Sequence, residues 1–336
     1  MSEQDVDIAK FHIGRAGRPL LARVADSVYW MSRYVERAEH VARVLLVNSN
    51  LLMDVGDLNP QLRDRLWLGV VKILSLEMPE SASKEDLGTR VARYMTLDST
   101  NPNSLVSCIT RARENARSIR ENISAEMWEN LNTLYWSMKT EEAATRFEET
   151  PTEVFRGVMS GCLLFQGLAD QTMAHGQAWL FMQVAKYLER IDITTRILES
   201  KHEILNVAEV HLEAPLRNIH WMAVLRSCCS IETYRRMYVG DLEPLRVATF
   251  ILFEATFPRS IRYSVSHAHN AMEKIRRILN PNELDPAERI LGRLEARLEF
   301  AEVREVTQNG LAVYLQRIRE QSTEASMTLQ KTYFLS

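Results

Sequence analysis

Apolar residues in this chain recur at steps of three and four, and steps of two are hard to find. That is the period of the α-helix, not the alternation of a half-buried strand, and it predicts an all-helical protein. The clearest run is Val24, Val28, Met31, Val35, Ala38, Ala42 and Leu45, which lines one side of a long helix. Glycine (12) and proline (10) are sparse, so the segments between them are mostly long enough for helices. Breaks are expected near residues 57–60, 79–83, 99–102, 150–151, 215, 240–244, 258 and 281–286. Asn101-Pro102 reads as an N-cap followed by proline at the first helical position. Residues 285–321 read as one long helix, and residues 1–19 as a polar, mobile extension.

One helical phrase occurs twice. Tyr34-Val35-Glu36-Arg37-Ala38-Glu39-His40-Val41-Ala42-Arg43-Val44-Leu45 returns 153 residues later as Tyr187-Leu188-Glu189-Arg190-Ile191-Asp192-Ile193-Thr194-Thr195-Arg196-Ile197-Leu198. A second block follows in the same order at a displacement of 156. Thr100-x-Pro102-x-Ser104-Leu105 matches Thr256-x-Pro258-x-Ser260-Ile261, and Ile119-Arg120 matches Ile275-Arg276. Two copies of a helical unit are therefore expected, spanning about 21–145 and 151–325 of one domain over 20–330. Each copy alone would expose an apolar face, so the copies should pack about a pseudo-twofold axis, with the C-terminal helix strapping them together.

The 336 residues carry a net charge of −3, with 46% hydrophobic and 25% charged residues. Those are ordinary globular values, with no basic field to recruit nucleic acid or an anionic membrane. No apolar run is long enough to span a bilayer, and the first 20 residues lack the core of a signal peptide. Cys108, Cys162, Cys228 and Cys229 suggest neither a disulfide framework nor a metal knuckle, which fits a cytoplasmic setting.

The repeated phrase holds the candidate chemistry. On a helical wheel Ser32, Glu36, Glu39 and Arg43 form a polar stripe bordering the apolar face, and Glu189, Asp192 and Arg196 repeat it. Glu39–Arg43 and Asp192–Arg196 are i,i+4 pairs, acid first. Arg37 and Arg190 point elsewhere, among apolar neighbours, and each needs a partner there. Three readings are open. The groups form an ion-pair network clamping the halves; or they line a polar cleft in which arginine holds a carboxylate or phosphate and glutamate acts as a base; or the i,i+3 acids hold a metal. The missing Glu-x-x-His and the adjacent arginines speak against the metal. A further set, Arg111, Arg113 and Arg117, continuing to Arg120, offers an anion-binding rail or a solvated face laced by Glu114 and Glu121, above a buried face of Ile109, Ala112, Ala116 and Ile119. His267 and His269 are two residues apart and cannot chelate one metal from one helix. His40 is expected at the surface, and Trp30, Trp128, Trp136, Trp179 and Trp221 in the core. There is no glycine-rich phosphate loop, HExxH or Gly-x-Ser-x-Gly, and no cofactor is called for.

The run from Leu21 through Trp30 to Glu39 resembles the start of the alpha-E family of bacterial all-helical proteins, named for a Glu-Arg motif. Tyr187-Leu188-Glu189-Arg190-Ile191-Asp192, Asn101-Pro102-x-Ser104, the 111–117 block with Glu126-Met127-Trp128, and Phe257-Pro258-Arg259-Ser260 resemble later family motifs. Ala185-Lys186 stands where the family would have Gly-Arg. The resemblance implies work beside a circularly permuted ATP-grasp ligase and a transglutaminase-like peptidase, in making, attaching or trimming a peptide. The expectation is an accessory or peptide-binding component; the alternatives are an enzyme using Glu36 or Glu189 as base, and a structural homodimer.

Overall fold

A computed structural model describes residues 20–55, 60–78, 85–208 and 214–335. The expected breaks at 57–60 and 79–83 fall largely outside the described residues, as does the extension at 1–19. Among the described residues the regular structure is helical throughout. The helices are α1 (Ala22–Val55), α2 (Pro60–Ile73), α3 (Leu87–Thr96), α4 (Leu105–Ser118), α5 (Ala125–Lys139), α6 (Glu141–Glu149), α7 (Pro151–Thr172) and α8 (Gln177–Ala208). There follow α9 (Ala214–Ser227), α10 (Ile231–Met237), α11 (Pro244–Phe253), α12 (Ile261–Leu279), α13 (Pro286–Glu299), α14 (Val303–Asn309) and α15 (Leu311–Tyr333).

Local chemistry explains the boundaries. Proline opens α2, α7, α11 and α13, where its missing N–H is not needed. Ser104 caps α4 by accepting from Ser107 N, and Ser260 caps α12 by accepting from Tyr263 N. The cap expected at Asn101 is thus displaced to Ser104. Asn101 instead builds the preceding turn, its Oδ1 accepting from Asn103 N at 3.0 Å. The long helix expected over 285–321 is broken between Glu299 and Val303, where Glu302 and Glu305 form a capping box. It breaks again at Gly310, which adopts φ 81°.

All seven residues of the leading apolar stripe in α1 are buried. The duplication is visible in the packing. Helix α1 carries α4 and α7 as α8 carries α12 and α15; α5 bridges α4 and α7 as α13 bridges α12 and α15. The cross-contacts are reciprocal, with α2 of the first copy against α8 and α9 of the second against α1. In this packing α7 plays the part of α15. One apolar cluster runs through both copies, and α1 and α8 cross at its centre. The strap is real: α15 lies on α8 and reaches α1 through Tyr29 Oη and Ser326 Oγ, 2.7 Å apart. Of the tryptophans expected inside, Trp221 is buried and Trp30, Trp128 and Trp179 are half-buried, but Trp136 lies 58% exposed. Trp67, not singled out above, is buried.

The indole of Trp67 on α2 lies so close to Gly88 in the first turn of α3 that a Cβ there would overlap the ring. Alanine is the better helix former by about 1 kcal/mol, yet overpacking costs about 1–3 kcal/mol. Gly88→Ala should therefore lower the melting temperature, and Trp67→Leu in the same chain should recover part of the loss. A melting temperature raised by Gly88→Ala would contradict this packing.

Candidate functional site

The duplicated phrases meet where α1 crosses α8, and their charges pair crosswise. Arg37 donates to Glu189 through Nε (2.6 Å) and Nη2 (3.0 Å). Arg190 donates to Glu36 through Nε (2.6 Å) and Nη2 (3.1 Å). Both are bidentate, so each copy's glutamate is clamped by the other copy's arginine. The third guanidinium nitrogens also match. Arg37 Nη1 donates to Asn103 Oδ1 at 2.8 Å, and Arg190 Nη1 to the Pro258 carbonyl at 3.0 Å, both in the turn before the capping serine. Tyr34 and Tyr187 lie beneath the two guanidinium groups as equivalent ring platforms.

These carboxylates lie deep in the fold. Glu36, Glu39 and Glu189 are buried, as are Arg190 and Arg259. Burial alone would raise the Glu36 carboxyl; Arg190, His40 and Arg259 outweigh it and hold it well below the usual carboxylate range. Burial opposes Arg37 and Arg33 at Glu189 in the same way, and the carboxyl is held at about 2. Arg33 Nε lies 2.6 Å from Glu189 Oε2, and Gln166 Nε2 donates to Glu36 Oε2 at 2.5 Å. With both oxygens of each carboxylate engaged by guanidinium or amide groups, the arrangement is that of an ion-pair network. The thiols are equally inert: burial pushes Cys108 and Cys228 up to about 12.

Around the crossed pairs the copies differ. Beside the first phrase, Glu39 is paired with Arg43, and Arg259 Nη1 lies 3.1 Å from Glu39 Oε2. His40, expected at the surface, is buried here because α1 is covered on nearly every side. Its Nδ1 donates to the Glu36 carbonyl (2.9 Å), so its Nε2 lone pair is left to accept from Arg259 Nη1 (3.0 Å). That pattern requires a neutral imidazole. Burial, despite Glu36 and Glu39, keeps the His40 pKa below its ordinary value. Glu36, Glu39 and His40 are close enough to hold a metal ion, but the guanidinium of Arg259 occupies the cationic position among them, which removes the metal reading.

Beside the second phrase, Asp192 replaces Glu39, Ile193 replaces His40, and Asn103 stands where the other copy has Arg259. Arg196 Nε donates to Asp192 Oδ2 at 2.9 Å and pairs with Ser75 Oγ. A cavity of about 190 Å³ opens here, lined by Arg37, Asn103, Glu189, Asp192 and Arg196 with Met95 and Ile193. Arg196 also lines a recess of about 220 Å³ with Ser75 and Arg319. With Asp192 it lines a third, of about 680 Å³, along α15 with Glu320, Glu324 and Lys331. The eight residues of the two phrases are therefore brought together, and the second side opens outward.

The rail expected on α4 divides. Arg113 and Arg117 both pair with Glu114, and Arg113 lies over Trp128 and Tyr135. Arg111 stands apart over Tyr34, while Ile109, Ala112, Ala116 and Ile119 are buried as expected. His267 stacks on Tyr263 while His269 pairs with Glu295, so the two histidines diverge. Lys186 lies half-buried over the Tyr187 ring, its ammonium brought down to about 8 by burial and by Arg190. Arg33, Gln166, Asn103 and Arg259 were not anticipated. The one available signal was the position after proline in the Pro-x-Ser turn, where the copies differ in charge.

The depressed carboxyls fix the response to acid. A group whose folded pKa lies below its unfolded value stabilises the fold above the unfolded value, and that stability is lost as pH falls through the folded one. His40 is of this kind, so a first loss should begin below 6.5. A steeper loss should follow as pH falls below 4.5, where the unfolded chain takes up protons that Glu189, held at about 2, and Glu36, held lower, refuse in the fold. Denaturant unfolding measured from pH 7 to pH 3 checks this; a flat profile would contradict the network.

No solved structure matches the chain. A family described as a predicted alpha-helical domain with a conserved ER motif matches residues 20–334. An uncharacterised protein of Mycobacterium bovis is 25% identical over 315 residues, covering 87% of this chain and 34% of the relative. Two uncharacterised Mycobacterium tuberculosis proteins give the same identity and coverage. The chain thus spans about a third of the length of the curated relatives it matches. With the family matched over nearly all its length, and two Glu-Arg pairs crossed at its centre, the chain belongs to the Alpha-E family.

Proposed function

We propose that the chain is an accessory, peptide-binding component of a bacterial peptide-ligation or peptide-modification system, working beside an ATP-grasp ligase and a transglutaminase-like peptidase. The observation that carries this reading is the polar groove on the second side. It lies along α15 with Glu320, Glu324 and Lys331, and it shares Asp192 and Arg196 with the smaller cavity at Arg37. A groove with both signs of charge on its walls suits an extended peptide better than a compact metabolite. The central glutamates support an accessory role, being held as ion pairs with almost no proton affinity. ATP chemistry would come from the ligase, since the sequence has no glycine-rich phosphate loop. The relatives match over about a third of their length, which is what a unit working beside other modules would give.

Purified chain should co-elute with its cognate ATP-grasp ligase at low salt and separate from it as salt rises. Charge reversal at the groove rim, Lys331→Glu, should weaken that association about tenfold, roughly 1.4 kcal/mol. No association at low salt, or one indifferent to the reversal, would contradict this reading.

A further inference from the structure

Internal symmetry shows what the 190 Å³ cavity would hold. Glu39 and Asp192 are equivalent positions of the repeated phrase, as are Arg43 and Arg196. Arg259 and Asn103 are likewise equivalent, each following the proline of a Pro-x-Ser turn. On the first side Glu39 is paired with two guanidinium groups, those of Arg43 and Arg259. On the second, Asp192 is paired among the described residues with Arg196 alone. Asn103 is too short to supply the other guanidinium, and the cavity lies beside it. Asp192, one methylene shorter than Glu39, enlarges the same space. Val41, Ile73, Met95 and Ile193 give it apolar walls suited to the methylenes of a long side chain, and Glu189 and Asp192 give it carboxylates. The two arginines of the cavity are already engaged, Arg37 in a bidentate pair with Glu189 and Arg196 with Asp192. Arg33 stands where the second copy has Lys186; its direct ion pair is with Glu189, and it also feels the charge of Asp192.

We infer that this cavity binds the guanidinium of an arginine side chain from a peptide, which pairs with Asp192 as Arg259 pairs with Glu39. The rest of the peptide would continue along the groove on α15, which shares Asp192 and Arg196 with the cavity. The inference rests on reading that groove as a peptide site and names the side chain it selects.

Titration calorimetry with N-acetyl-arginine methylamide tests it, with the citrulline analogue as a neutral probe of the same shape. The full chain should bind the arginine compound saturably and the citrulline compound at least tenfold more weakly. Asp192→Asn should weaken arginine binding at least tenfold. Asn103→Arg should fill the cavity from within and abolish binding, while its melting temperature stays at or above that of the unaltered chain. Absence of saturable binding, equal affinity for citrulline, or unchanged binding by a folded Asn103→Arg variant would each overturn the inference. So would uptake of acetate or phosphate that is lost in Arg196→Met, since that makes the cavity an anion site. Co-elution with the ligase without arginine binding removes this inference and leaves the accessory role; arginine binding without co-elution does the reverse.

Discussion

Two glutamate–arginine pairs, each joining one copy of the repeat to the other, sit at the crossing of the two central helices. Each pair is bidentate, and the Arg190–Glu36 pair is fully buried. A carboxylate taken out of water is costly, and removing one partner of such a pair costs about 3–5 kcal/mol. The charges are tolerable only while α1 and α8 keep their register and crossing. An apolar seam would accept several rotations of one helix against the other; two bidentate pairs at reciprocal positions accept one. Gln166, Arg33, His40 and Arg259 complete the coordination of the two carboxylates, so α7 and the turn before α12 are tied to the same point.

Departure from symmetry gives the molecule two unlike sides. On one, Arg259 and His40 close the space beside the crossed pairs and leave a neutral, buried imidazole in a wall of guanidinium groups. On the other, asparagine and isoleucine stand in their places, beside a cavity that shares Asp192 and Arg196 with a larger recess along α15. The duplicated scaffold thus stays rigid at its centre while one flank becomes a surface that can receive a ligand. The closed first flank and the space left on the second follow from three differences between the copies: Arg259 against Asn103, His40 against Ile193 and Glu39 against Asp192.

Much of the architecture was legible in the sequence because it rests on periodicity. The α1 stripe from Val24 to Leu45, the repeated phrase and the buried face of α4 all follow from the spacing of apolar residues, which local geometry fixes. Pairing across the axis was not legible, since a wheel gives directions about one helix and not the angle at which a second crosses it. For that reason Arg37 seemed separate from the stripe, and His40 was assigned to the surface of a helix that is in fact enclosed. The break at Glu302 rests on a capping box whose N-cap is glutamate, an unusual residue there. Trp136 shows the limit of treating every tryptophan as an anchor. Asn103 and Arg259 lay in plain sight as the variable position of a repeated motif, but their meaning depended on what the turn faces.

The account stands or falls on whether the crossed pairs act as coupled units across the axis. A double-mutant cycle on Glu36→Gln and Arg190→Met, with unfolding free energies measured at neutral pH, tests this directly. The account predicts that each single change is strongly destabilising and that the double variant is more stable than the sum implies, with a coupling of about 2 kcal/mol or more. Additivity to within about 0.5 kcal/mol would contradict it.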